Sequence, residues 1–177
     1  DPLATGLLII FSGNTTRLFD FLQEFDKEYI ADFRLGARTD TQDSTGTVLE
    51  RCPPDHLPVT KAALEEALAG FAGEILQLPP MYSALKVGGK KLCDIARAGG
   101  ADIEREARPV TLKSASLLSF DGREGRICMT VSKGFYVRTL IDDLGQALGT
   151  GGVMTALRRT RIGPFRLEDC HAEFSAE

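Results

Sequence analysis

The sequence predicts an α+β fold, a mixed and mostly antiparallel sheet flanked by helices, and three observations carry that expectation. Helical and strand periodicities are interspersed without the regular strand-helix-strand rhythm of a doubly wound sheet. Two strand-like segments are separated by Asp121-Gly122-Arg123-Glu124-Gly125, turn chemistry that makes an antiparallel hairpin the simplest connection. The 177 residues are 43% hydrophobic and hold no internal repeat or low-complexity linker, which fits one domain that buries its own core.

Each element follows from its local pattern. Phe19, Leu22 and Phe25 recur at helical spacing after Thr15 and Thr16 and predict a short amphipathic helix. The period then changes to two: Tyr29, Ala31, Phe33 and Leu35 alternate as in a half-buried strand that ends at Gly36. From Thr60, the stripe Leu64, Ala67, Leu68 and Phe71 predicts a helix stopped by Gly70 and Gly73. Residues 109–119 and 126–132 read as the two strands of the hairpin, with Val110 and Leu112 in the first and Ile127, Met129 and Val131 in the second. Val137, Leu140, Ile141, Leu144 and Leu148 predict a further helix, capped by Gly149 and the Gly151-Gly152 pair. A short helix around Val153 to Leu157 and an extended tail with Ile162 and Phe165 complete the reading.

Composition narrows the function classes. The net charge of −4 argues against a surface that binds nucleic acid everywhere, so any such binding must be local. Lys86, Lys90, Lys91 and Arg97 provide local basic density, followed by Arg105 and Arg108, with Arg158, Arg159 and Arg161 near the C-terminus. The plain reading of these charges is a solvated face. The longest apolar run, Leu7 to Phe11, is far short of the roughly 20 residues a membrane span needs, and no basic run precedes it. Cys52, Cys93, Cys128 and Cys170 form no Cys-x-x-Cys pair, which predicts reduced thiols in the cytoplasm or an organelle matrix, and no zinc clip. The Asn14 sequon lacks a secretory signal to give it meaning. Asp40 to Gly46 fails the calcium-loop spacing, and Gly145 to Gly152 follows a helix and lacks a Lys-Ser/Thr ending, so neither a metal nor a nucleotide is expected. Capping accounts for those glycines.

The chain opens without an initiator Met, on Asp1-Pro2-Leu3-Ala4-Thr5-Gly6, which leads us to expect a segment preceding residue 1. That string resembles the second half of the Gly-x-Leu-Asp-Pro-x-Ala-Thr-Gly motif of the TruB family of tRNA pseudouridine synthases. Further matches follow in order: Asp26-Lys27-Glu28-Tyr29, Leu35-Gly36-Ala37-Arg38-Thr39-Asp40-Thr41-Gln42-Asp43, and Gln77-Leu78-Pro79-Pro80-Met81-Tyr82-Ser83-Ala84-Leu85-Lys86. Then come Gly89-Lys90-Lys91-Leu92, Ala107-Arg108-Pro109-Val110, Ser132-Lys133-Gly134-Phe135-Tyr136-Val137-Arg138-Thr139-Leu140, Asp143-Leu144-Gly145 and Leu157-Arg158-Arg159. The likeness runs from residue 1 to about 165.

The resemblance implies a pseudouridine synthase fold and the isomerisation of uridine in tRNA, uridine 55 of the T-loop, without a cofactor. It places the carboxylate that acts beside the sugar on Asp1, as nucleophile or as base. On pattern alone Asp1-Pro2 reads as a turn cap. A carboxylate in a water-poor cleft needs a cation to stay ionised, and the resemblance gives that role to Arg138. Arg138 sits one residue past the apolar Val137, so it need not share the core-facing stripe, and by itself it reads as a surface arginine. Tyr29 is implied as the platform for the flipped uracil and the aid to C5 proton removal, where the pattern alone allows a core tyrosine. Tyr136 and Leu157 match positions that line the same pocket and Tyr82 a segment that supports it; Leu157 is also readable as a plain core leucine. Lys133 is carried over as a further substrate contact.

Residues 79–108, with Pro79-Pro80, the glycine pairs and Lys86, Lys90 and Lys91, suit a partly helical arm that grips the T-arm of tRNA through its phosphates. The expectation is thus a single catalytic domain over residues 1–177, monomeric, with no membrane or metal partner. In relatives an opening strand and a His-Gly segment precede Asp1, many append an RNA-binding PUA domain not expected here, and Cys93 stands where Tyr is common. A catalytically silent RNA-binding or tRNA-folding protein on the same scaffold is the alternative from a different class.

Overall fold

Alternating apolar and polar side chains build the centre of the fold. A computed structural model of the chain describes residues 1–99 and 103–170. In chain order it contains β1 (Ala4–Gly6), a 3-10 turn over Gly13–Leu18 that runs into α1 (Phe19–Gln23), β2 (Lys27–Leu35), β3 (Ala37–Thr39) and β4 (Val48–Arg51). These are followed by α2 (Lys61–Ala69), β5 (Gly73–Gln77), β6 (Lys86–Val87), β7 (Lys90–Lys91) and α3 (Leu92–Arg97). The last elements are β8 (Arg108–Phe120), β9 (Glu124–Val131), α4 (Val137–Ala147), β10 (Gly152–Ile162) and β11 (Phe165–Arg166).

The main sheet runs β1-β10-β2-β9-β8-β5, with β11 folded back on β10. Only β1 lies parallel to its neighbour; every other pairing in that sheet is antiparallel, so the α+β, mostly antiparallel expectation holds. β2 is central, and its alternation sorts the two faces. Ala31, Phe33 and Leu35 are buried against Ile127, Met129 and Val131 of β9 and against Leu140, Ile141 and Leu144 of α4. The opposite face of β2 is polar: Asp32 pairs with Arg126 across the strands at 2.5 Å and Arg34 with Glu124 at 2.7 Å. Such exposed pairs suit a sheet with one solvated face and add little stability.

The helix over α2 begins where Thr60 marks it, its hydroxyl accepting from the Ala63 N–H at 3.2 Å, and buries Leu64 and Leu68. The β8–β9 hairpin closes through Asp121, whose Oδ1 accepts from the N–H groups of Arg123 and Glu124 at 2.9 and 2.7 Å. The short helix expected from Phe19, Leu22 and Phe25 is present as α1, five residues long; none of them is buried, and Phe25 lies beyond its end.

Residues 153–157 are a strand, not the short helix their spacing suggests. β10 pairs with β2 along its whole length, and irregularities between Met154 and Ala156 and between Arg159 and Arg161 insert extra residues into the ladder. A bulge breaks the period of two, so Val153, Met154 and Leu157 fall at spacings that mimic a helix. The tail is extended as expected: Ile162 pairs with Phe165 across a Gly163-Pro164 turn. Strands β1, β3, β4 and β5 went unread because each is short, exposed or without alternation.

The glycines after α4 do two jobs. Gly149 and Gly151 adopt φ of +69° and +67°, as capping glycines do. Gly145, inside the helix, instead lets the backbones touch: a Cβ there would lie 2.2 Å from Gly151 C and Gly152 N. This contact sets α4 directly on the start of β10. Gly145→Ala is therefore expected to destabilise the protein by about 1–3 kcal/mol through overpacking, read as a lowered urea midpoint; an unchanged midpoint would show that α4 can lift without cost.

Candidate active site

The site forms where the turn at Asp1 meets the first turn of α4. The Asp1 carbonyl accepts from the Ala4 N–H at 3.1 Å, and its carboxylate Oδ1 accepts from the Leu3 N–H at 3.0 Å. That closed turn leads straight into β1, whose Ala4 pairs with Leu157 of β10. The other carboxylate oxygen, Oδ2, lies 2.7 Å from Nε of Arg138. The two residues are 137 positions apart in the chain and meet with side chains 15% and 8% exposed.

Arg138 is not the solvent-facing arginine that its place beside Val137 suggests. It is buried, and the sequence pattern missed this because its partners come from outside the helix. Nη1 donates to the Thr41 carbonyl at 2.8 Å and lies 3.5 Å from Oδ2 of Asp43, while Nη2 donates to the Tyr82 carbonyl at 3.0 Å. Burial pushes the guanidinium's pKa down, and the charge of Asp43 pushes it back up. A planar fork with five donors in fixed directions holds three separate segments in one defined geometry, where a lysine offers three donors on a single freely rotating point charge.

Asp43 is the main residue that sequence reasoning passed over. The loop from Asp40 to Gly46 fails the calcium-loop spacing, and nothing in its pattern marks Asp43, which closes one of the matched strings, as a partner for Arg138. Its Oδ1 accepts from the Thr41 and Thr45 hydroxyls at 2.8 and 2.6 Å and from the Thr45 N–H at 2.9 Å. The loop is tied to β10, where Met154 N–H donates to Gln42 O and Ser44 N–H to Met154 O. Gln42 takes φ of +63°, and Thr139 of α4 donates to its Oε1 at 3.0 Å. A second polar group lies one turn further along α4, where Arg38 forks onto Asp142 at 2.8 and 3.0 Å. A cavity of about 390 Å³ lined by Arg38, Asp40, Gln42, Tyr82 and Asp142 adjoins it.

The aromatic and apolar candidates share the helical face of the sheet. Leu157 is buried opposite Ala31, and Tyr29 lies two residues further along β2, opposite Arg159. Tyr29, Leu3, Leu157 and Val137 belong to one apolar cluster, with Tyr29 half-buried at its border. Tyr136 is the half-buried residue at the start of α4. Tyr82 supports the site through its carbonyl, and its hydroxyl reaches Asp40 at 3.4 Å.

The lysines lie apart from this cluster. Lys133, exposed between β9 and α4, is ion-paired with Glu24. Lys86, Lys90 and Lys91 make up most of the β6–β7 hairpin, all three exposed, with Lys86 directly opposite Lys91. The segment carrying them is partly helical as expected, and Leu92 of α3 is fully buried at its base. Residues 100–102 of the expected arm lie outside the described residues. Among the described residues, no helix is long and apolar enough to cross a membrane.

Comparison with solved structures shows which proteins share this fold. The chain aligns with the Cbf5-Nop10-Gar1 complex at 29% identity and a TM-score of 0.67, covering 94% of this chain and 39% of that one. It also aligns with an H/ACA RNP bound to a substrate RNA containing 2'-deoxyuridine at 26% identity and a TM-score of 0.56, covering 86% and 33%. The chain belongs to the TruB family: the model of the TruB family pseudouridylate synthase N-terminal domain matches residues 1–137, and that of the tRNA pseudouridylate synthase B C-terminal domain matches residues 138–173. It is 50% identical over 169 residues to tRNA pseudouridine synthase B of Aromatoleum aromaticum, covering 96% of this chain and 54% of that protein. Against the protein of the same name from Bordetella pertussis it is 46% identical, covering 95% and 68%. The chain thus spans between half and about two thirds of these relatives.

The site's electrostatics yield a pH signature. Burial raises the Asp143 carboxyl to about 6, helped by the neighbouring Asp142 and opposed by Arg38. The folded state then holds a proton that the unfolded state has released, so this group's contribution to stability falls as pH rises from about 4 to about 6. Asp143→Asn is expected to flatten that fall and to raise stability at pH 7, read from urea midpoints across the interval; an unchanged pH profile would contradict the shift.

Proposed function

We propose that this protein isomerises uridine to pseudouridine in tRNA, at uridine 55 of the T-loop, and that the Asp1–Arg138 pair is its chemical centre. The single observation that carries this reading is the ion pair at 2.7 Å between two residues 137 positions apart in the chain, at the edge of an apolar cluster that holds Leu3, Tyr29 and Leu157. The guanidinium is buried and the carboxylate largely shielded from water, so the pair carries a desolvation cost that its attraction and added hydrogen bonds must offset.

In the proposed reaction the target nucleotide leaves the stack and enters between Tyr29 and Leu157, its ring against apolar surface. Asp1 acts at the ribose, either attacking C1′ or taking the C2′ proton, and the N1–C1′ bond breaks. Arg138 fixes one carboxylate oxygen and the Leu3 N–H the other, so the group is aimed before substrate arrives. The uracil turns and C5 bonds to C1′ as Asp1 either leaves that carbon as a free carboxylate or returns the proton to C2′; the C5 proton then leaves with help from the Tyr29 hydroxyl, and N1 gains a proton. Atoms and electrons balance within the substrate, and no cofactor is consumed. Tyr136 borders the pocket, and Lys133 meets the RNA beside it.

The arm at residues 79–108 would hold the T-arm through Lys86, Lys90 and Lys91. Their charges have no acidic partner within ion-pair distance among the described residues and face outward on a two-stranded hairpin. Relatives named tRNA pseudouridine synthase B support tRNA as the substrate.

The test is tritium release from C5-labelled uridine in a tRNA transcript. The wild-type protein is expected to release label and Asp1→Asn to lose release by at least about a thousandfold while still binding tRNA. Equal release from both would remove Asp1 from the chemistry, and no release from the wild type would leave an RNA-binding scaffold. Replacing Lys86, Lys90 and Lys91 together with Gln should weaken tRNA binding and flatten the slope of log affinity against log salt by about 2, with the single-turnover rate of bound RNA nearly unchanged. A slope equal to that of wild type would detach the hairpin from the RNA backbone.

A further inference from the structure

We infer that Gln77, at the end of the edge strand β5, is a positioning residue that sets the aim of Arg138; this assignment rests on the reaction proposed above. Gln77 is 1% exposed. A primary amide so deeply buried is costly unless both its ends are hydrogen-bonded. Both ends go to the backbone of one residue: Oε1 accepts from the Tyr136 N–H at 2.9 Å, and Nε2 donates to the Tyr136 carbonyl at 3.1 Å.

Tyr136 is the N-cap of α4, with extended backbone angles of φ −101° and ψ 107° and no side-chain cap of its own. Its carbonyl already accepts the first helical bond, from Leu140 N–H at 3.2 Å. Gln77 therefore fastens the residue at which extended chain becomes helix, and Arg138 follows two positions later. Rotation or slippage of Tyr136 would pass along the first helical turn into the guanidinium.

The same stretch grips that turn a second time. Five residues after Gln77, the Tyr82 carbonyl accepts from Nη2 of Arg138 at 3.0 Å. One end of the 77–82 segment thus holds the backbone that carries Arg138, and the other holds its side chain. Between them lie Pro79 and Pro80, whose fixed φ angles limit how far the two grips can move apart. A misplacement of about 1 Å in such a constellation can cost on the order of a hundredfold in rate.

The experiment substitutes Gln77→Met, which keeps the volume and deletes both hydrogen bonds, and Gln77→Glu, which keeps only the acceptor, each in the wild-type and the Arg138→Lys background. Single-turnover tritium release, tRNA affinity, thermal melting and the NMR signal of the Arg138 Nε–H are read on the intact protein. Gln77→Met is expected to slow release at least about tenfold with tRNA affinity within about twofold, and to cost less than about twofold once Arg138 is Lys. The Arg138 Nε–H, protected from exchange in the wild type, should lose that protection in Gln77→Met. An equal loss of rate in both backgrounds, or an Nε–H signal unmoved by the substitution, would overturn the assignment. So would failure of both variants to fold, which would make Gln77 a requirement of the whole fold. No release from the wild type would sink the proposed reaction instead, and the Nε–H signal would then decide the positioning role alone.

Discussion

A buried guanidinium organises this protein. Arg138 sits in the first turn of α4 and reaches the Asp1 turn, the Thr41–Asp43 loop and the Tyr82 carbonyl, segments separated by tens of residues in sequence. A cation taken out of water must be met from several directions, and the fold supplies a carboxylate, a second carboxylate and two carbonyls. The loop at Asp43 is in turn braced by Thr41 and Thr45 and stitched to β10. The same guanidinium is the knot that joins the N-terminal turn, the sheet and the base of the 79–97 segment.

The sheet exists to hold that knot still. β2 lies between β10 and β9 with its apolar side chains under α4, so the helix carrying Arg138 rests on the most buried part of the molecule. Gly145 and Gly152 let α4 and β10 approach until their backbones meet, which fixes the C-terminal half of the helix. The Gln77 amide fixes the other end. Between these two anchors the helix has little freedom to translate.

Much of this was legible in the residues before any coordinates. The alternation at Tyr29, Ala31, Phe33 and Leu35 marked β2, the stripe from Val137 to Leu148 marked α4, and Asp121-Gly122 marked the hairpin, because each pattern reports one exposed and one buried face. β10 was misread since its bulges shift the period within the strand. β1 and β5 were invisible because three or five residues at an edge carry too little alternation to register. In the candidate site, Asp1, Tyr29 and Arg138 were named through likeness to a family; their spacing alone would have left them as a turn cap, a core tyrosine and a surface arginine. The burial of Arg138 and the bracing by Asp43 and Gln77 are long-range contacts, and periodicity speaks only about neighbours.

The β6–β7 hairpin places Lys86 squarely across from Lys91 on a ribbon only two residue pairs long. Like charges facing each other across a short ladder oppose its formation, and so small a ribbon has little cohesion of its own. A polyanion seated there would cancel the repulsion. By thermodynamic reciprocity, whatever tightens the ribbon also raises its affinity for the polyanion, so shape and attraction at this spot rise and fall together.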